Sequence, residues 1–121
     1  MENKVFLHHD GYIEIDLFGH QTGDSFLKVY EQALPLIEKI QNENKPLLGL
    51  CDLTNQTGFS LSSDKVAMEY LEKTNYDKIA LYNVPHIEVT KGIIIAMGKK
   101  ENTKIFDNHN DAVEWLLGLD K

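Results

Sequence analysis

Arginine is absent from this chain of 121 residues; its 12 cationic side chains are all lysine. The planar fork that grips phosphate and guanine in two-pronged fashion is therefore missing. A formal charge of −7 would also repel a phosphate backbone over the whole surface. Nucleic acid is thus not an expected partner. Cysteine is nearly absent too. Cys51 stands alone, cannot form an internal disulfide, and fits a reducing, cytoplasmic setting. No apolar run approaches the roughly 20 residues that cross a bilayer. The polar start Met1-Glu2-Asn3-Lys4 shows no leader block, so no transmembrane or secretory segment is expected. Internal repeats, linkers and low-complexity tracts are also lacking. A 42% hydrophobic and 26% charged composition is enough to build one core, so residues 1–121 are expected to form a single domain.

Catalytic signatures are equally scarce. There is no Gly-x-Ser-x-Gly elbow. Cys51 lies inside an apolar stretch, where a thiol is unreactive. The five histidines lack metal-binding spacing: His8 and His9, adjacent on a presumed strand, should point to opposite faces, and His20, His86 and His109 lie apart. No catalytic residue, cofactor or metal is expected.

What is present is a rhythm of strands and helices. Val5 and Leu7, and His9 with them, alternate with Phe6 and His8, and Asp10-Gly11 reads as a two-residue hairpin turn. Tyr12, Ile13, Ile15, Leu17 and Phe18 then make a second strand. Thr22 to Ser25 offers helix-cap chemistry, followed by a stripe of Phe26, Val29, Tyr30, Ala33, Leu34, Ile37 and Ile40. Pro35 falls within that stripe and predicts one kinked helix. The run Leu47, Leu48, Leu50, Cys51, Leu53 has the look of a strand buried on both faces, hence a central parallel one. Residues 55–59 read as a loop. A short helix follows, with Ser62 as its cap and Leu61 packed on Val66. Lys78 to Tyr82 is a strand, and Pro85 to Gly98 is helix or strand on propensity alone. Thr103 to Phe106 is a strand leading to a helix capped by Asp107 or Asn108, with Ala112, Val113, Leu116 and Leu117 inward and Trp115 half-buried.

Three stretches carry a family resemblance: Leu50 to Thr54 running to Gly58-Phe59; Ile79 to Tyr82 leading into Ile87 to Met97; and Lys104-Ile105-Phe106-Asp107 with Asp111-Ala112-Val113-Glu114-Trp115-Leu116. Over nearly its full length the chain resembles the SpoIIAA-like, or STAS-type, domains, in particular the stand-alone bacterial ones that have been compared with CRAL-TRIO lipid carriers. The resemblance implies an α/β fold with an N-terminal hairpin, then β-α units. It also implies a mixed, mostly parallel sheet of five strands in chain order, with about four helices. It favours helix for Pro85 to Gly98. In family members that antagonise anti-sigma factors, a serine at the start of the helix after the third strand is phosphorylated. The matching neighbourhood here holds Ser60, Ser62 and Ser63, but Ser62-Ser63-Asp64-Lys65 departs from the family's Asp-Ser-Ser-Gly or Asp-Ser-Thr-Gly motif. Ordinary capping explains those serines as well.

In parallel sheets, ligands gather at the carboxyl ends of the strands. Asp52, Thr54, Asn55 and Ser60 are therefore the pocket candidates, with His86 facing them and Ser62 and Ile87 as further contact candidates. The alternative for Asp52 is simple capping of nearby loop N–H groups. The segment Ile87 to Met97 is apolar around most of its circumference. It is either buried under the last helix or exposed as a self-association surface, the basis for expecting a homodimer. The sequence thus points to a non-enzymatic regulatory or binding module working by protein contact. A carrier of a small apolar or lipid-like molecule is the alternative, and a phosphorylation-switched antagonist of an anti-sigma factor the third reading.

Overall fold

The computed structural model describes residues 2–119. Its elements are β1 (Lys4–Leu7), β2 (Ile13–Gln21), α1 (Gly23–Asn42), β3 (Leu48–Phe59), α2 (Leu61–Thr74), β4 (Lys78–Tyr82), α3 (Ile87–Ala96), β5 (Thr103–Phe106) and α4 (His109–Leu116). The strands form one sheet in the order β1-β2-β3-β4-β5. β1 pairs antiparallel with β2, and the other neighbours are parallel.

Strand alternation sorts the residues onto two faces. Ile13, Ile15 and Leu17 of β2 and Ile79 of β4 meet Val29, Ala33 and Ile37 of α1 and Tyr70 of α2. Tyr12, Leu50 and Ala80 point the other way, against Ala112 and Leu116 of α4. Leu48, Gly49 and Leu50 are buried at the start of β3, as the continuous apolar run predicts. The α4 helix has eight residues and packs on β3, β4 and β5. Phe6, Glu14 and Asp16, on the same face but farther along the sheet, consequently stay partly open.

The α1 helix runs through Pro35 as one helix. A proline in a helix interior costs about 3 kcal/mol. Ala33 before it and Ile37 and Ile40 after it are buried, and full burial of one such large aliphatic side chain contributes about 2 kcal/mol. Both sides of the interruption are thereby held to the sheet. Residues 87–96 are helical, as the resemblance favoured over strand.

Four local expectations need correction. The β1–β2 link is longer than a two-residue turn: the strands stop at Leu7 and resume at Ile13, His8 N–H donates to Tyr12 O at 2.8 Å, and Gly11 takes φ +101°. His9 is thus outside the strand, and its ring stacks on that of His8, with centroids 4.3 Å apart, so the two do not face opposite ways. Second, residues 55–59 are strand rather than loop. β2 reaches Gln21 and pairs Phe18 with Asn55, Gly19 with Gln56, His20 with Gly58 and Gln21 with Phe59. This two-stranded extension outruns the rest of the sheet and exposes Thr54, Asn55 and Thr57, which is why its sequence is polar.

Third, α2 is capped by Ser60, whose Oγ accepts from Ser63 N–H at 3.1 Å. Leu61 is 90% exposed, so no staple with Val66 forms. Ser62 instead accepts the N–H of Gly23, the first residue of α1, at 3.1 Å. Ser60→Ala should therefore lower stability by about 1 kcal/mol in urea unfolding. Ser62→Ala should cost α2 less, and a larger loss for Ser62→Ala would contradict this assignment. Fourth, α3 is not buried under α4. Ile94 is its one buried residue, and Ile87, Val89, Ile93 and Ile95 are exposed.

Candidate functional site

The carboxyl ends of β3, β4 and β5 are tied together by short polar side chains. Asn83, just past β4, adopts φ +59°, donates its backbone N–H to Phe106 O at 3.1 Å, and donates through Nδ2 to Thr54 Oγ1 at 2.9 Å. Thr54 in turn donates its hydroxyl to Asp52 Oδ1, which also accepts the Thr54 N–H at 2.9 Å. Asp52 thus fastens the strand end locally, as turn chemistry predicts. The relay fixes one wall of an open cleft of about 320 Å³ bounded by Leu53, Thr54, Gln56, Asn83, Val84 and Ile87, with Phe106 and Asp107 opposite. Gln56 Oε1 is buried there without a hydrogen-bond partner among the described residues.

Beside it, the partly open face of the sheet gathers acids. Asp16 of β2 sits level with Asp52 of β3, which sits level with Tyr82 of β4. Glu14, two residues before Asp16, points the same way and lies 3.9 Å from His109 Nε2 at the start of α4. The Tyr82 ring meets His109 edge-on, with centroids 5.6 Å apart. Burial first, then the hydrogen bond and charge of Asp16 and the charge of Asp52, push the Glu14 carboxyl up to about 7. Asp16 Oδ1 is buried and unpartnered among the described residues. Glu14 does not line the cleft. Cys51 is not a nucleophile here: burial, followed by Asp52 and Asp16, pushes its thiol up to about 12.

A third polar point lies where α1 and α2 begin. Ser60 and Ser62 hydroxyls share a hydrogen bond of 2.9 Å, and the N–H groups of Ser63 and Gly23 point at them. The buried Gln21 braces the junction, with Oε1 accepting from Ser25 Oγ at 3.0 Å and its backbone O accepting from Ser60 N–H at 3.0 Å.

The sequence candidates therefore separate. Asp52, Thr54 and Ile87 belong to the cleft or its wall, while Ser60 and Ser62 belong to the helix junction. Asn55 is exposed on the β2–β3 extension, and His86 is exposed at the start of α3 with φ +52° and no side-chain cap bond. Sequence reasoning missed Asn83, Glu14 and Asp16. An asparagine right after a strand, a residue type that tolerates the left-handed turn conformation, was one available signal for Asn83. Two acids alternating on β2 were the signal for the others, but such acids read as the wet face of a strand.

Comparison with solved structures gives the fold a name. An uncharacterized protein of the DUF3478 family with a SpoIIAA-like fold, from Shewanella loihica PV-4, superposes with a TM-score of 0.62 at 20% identity, covering 94% of this chain and 91% of that one. The anti-sigma factor antagonist SpoIIAA in its unphosphorylated form gives 0.59 at 13% identity, over 96% and 98% of the two chains. The phosphorylated form of the Bacillus cell fate determinant SpoIIAA gives 0.56 at 13% identity, over 93% and 97%. No family model and no curated protein matches the sequence. The fold is SpoIIAA-like, as the resemblance implied; these likenesses are silent on CRAL-TRIO carriers. Among the described residues, no helix is long and apolar enough to cross a membrane.

Proposed function

We propose that this chain is a non-enzymatic regulatory or binding module that works by contact with a protein partner, through α3 and the start of α2. The observation that carries this reading is α3 itself. Four of its large apolar side chains face solvent, with Val89 64% and Ile95 59% exposed. Apolar groups clustered on a surface signal an interaction site. Leu61, standing out beside Ser62, adds a second apolar point. The likeness to an anti-sigma factor antagonist supports a protein partner.

One observation favours a phosphorylation-controlled version. A phosphate on Ser62 would meet N–H groups at the starts of two helices, where their dipoles favour negative charge. The apolar part of the cleft, from Leu53, Val84 and Ile87, supports the carrier reading to a smaller degree, because the cleft is open.

The test is a photo-reactive side chain placed at Ile95 or Leu61 in the native host, with Glu31 on the exposed side of α1 as control. The expected result is a defined adduct from Ile95 and none from Glu31. Adducts from neither position, or equally from all, sink the contact reading. An adduct of twice the chain mass identifies a homodimer. The substitution Ser62→Asp, but not Ser62→Ala, should change the adduct yield if phosphorylation controls the contact. A retained acyl-chain mass in native mass spectrometry would favour the carrier instead.

A further inference from the structure

The β1–β2 link lies at the amino ends of the parallel strands, away from the cleft and the helix junction. It carries three consecutive residues with ligand chemistry, His8, His9 and Asp10, whose candidate donor atoms all lie within 4.8 Å of one another. His8 Nδ1 is 3.5 Å from Asp10 Oδ2, and His9 Nε2 is 3.4 Å from Asp10 Oδ1. In a tetrahedral site with bonds of about 2.1 Å, adjacent donors stand about 3.4 Å apart. Each imidazole already stands at about that distance from one oxygen of the carboxylate, His8 from Oδ2 and His9 from Oδ1.

The arrangement is held by the turn. Gly11, in a conformation that favours glycine, donates its N–H to His8 O at 2.9 Å and folds the three side chains to one side. The His8 ring lies against His9 and, at 4.6 Å and 9°, against Tyr12. Tyr12 is 1% exposed and belongs to the core, so it sets the plane of the His8 ring. The Asp10 N–H donates to His8 Nδ1 at 3.2 Å, which leaves the lone pair of that nitrogen directed into the turn.

We propose that this hairpin tip binds a divalent transition-metal ion through His8 Nδ1, His9 Nε2 and the Asp10 carboxylate. Two imidazoles with one carboxylate suit Zn²⁺ or Cu²⁺ rather than Mg²⁺ or Ca²⁺, which prefer oxygen alone. The ion replaces the Asp10 N–H at His8 Nδ1. The site is independent of the protein-contact reading.

Calorimetric titration of the full chain with Zn²⁺ near neutral pH tests it. One ion per chain is expected, with His9→Ala and Asp10→Asn each weakening binding about tenfold or more. His20→Gln and His86→Gln should leave it unchanged, and Mg²⁺ should give no heat. Amide spectra recorded alongside should show Gly11 and Tyr12 shifting with Zn²⁺ and should report whether each variant is folded. Absence of both heat and Gly11 shift in the unmodified chain overturns the proposal. So does Zn²⁺ binding that survives both substitutions, because the ion then sits elsewhere.

Discussion

Gly49→Val is expected to destabilise the domain by about 3 kcal/mol, at the upper end for overpacking a core. Gly49 lies in the central strand between Ile13 and Ile79. A Cβ built on it would stand 2.6 Å from Tyr76 Cε1, far inside contact distance. The ring cannot step aside cheaply. Tyr76 is 4% exposed, its hydroxyl is bonded to that of Tyr70, and Tyr70 packs edge-on against Tyr30 of α1. Burial drives both phenols away from ionisation, Tyr76 up to about 12 and Tyr70 higher still, so the pair stays neutral at any pH where the protein is useful. Thermal or urea unfolding measures the loss. The diagnostic is the double variant: Tyr76→Leu should recover part of the cost of Gly49→Val, a non-additivity that identifies the ring as the obstacle. Strictly additive losses would mean that the glycine is needed for some other reason.

The second large effect concerns pH. Glu14 has its carboxyl raised in the folded state from 4.5 to about 7. A carboxyl raised on folding makes the native state bind more protons than the unfolded chain between those values. Its contribution is therefore fully present below about 4.5 and is lost as the pH rises through about 7. A tenfold change in proton affinity corresponds to about 1.36 kcal/mol. The carboxyl is 13% exposed and interacts closely with Asp16, so about 2 kcal/mol is a reasonable size for the whole effect. Glu14→Gln should thus raise stability at pH 8 by about 2 kcal/mol, or about 8 °C in melting temperature, and change little at pH 4. The groups facing Glu14 are Asp16 on its own strand, Asp52 on β3 and His109 on α4. Melting curves of both proteins from pH 4 to 8 check this, and parallel curves across the range would remove Glu14 as the source.

The layout was legible wherever burial dictated residue type. The leucine-rich β3, the amphipathic α1 and the Phe106 to Leu117 ending could be assigned because a two-face or one-stripe apolar pattern leaves few alternatives. Residues 55–59 were not legible. They pair with β2 through their backbone, and the exposed polar residues Asn55 and Thr57 leave no apolar alternation to mark a strand. The α2 cap falls two residues earlier than its sequence suggests because Ser60, Ser62 and Ser63 are chemically interchangeable as caps. What separates them is the neighbouring α1, which takes Ser62 for itself. At the candidate site, Asp52 and Thr54 could be found by their place at a strand end. Glu14 and Asp16 could not, because alternating acids read as the wet face of a strand, and how far packing shields that face is not written in the acids themselves. His8 and His9 escape sequence reasoning for a related reason: strand geometry would part them, and a turn brings them together.

The two outer strands, β1 and β5, are four residues long each, and they carry Lys4 and Lys104 in exposed positions. Brevity and a charged amine are what blunt a free sheet margin against templating further chains. Concentrated solutions of this protein should accordingly resist fibre growth templated on β1 or β5.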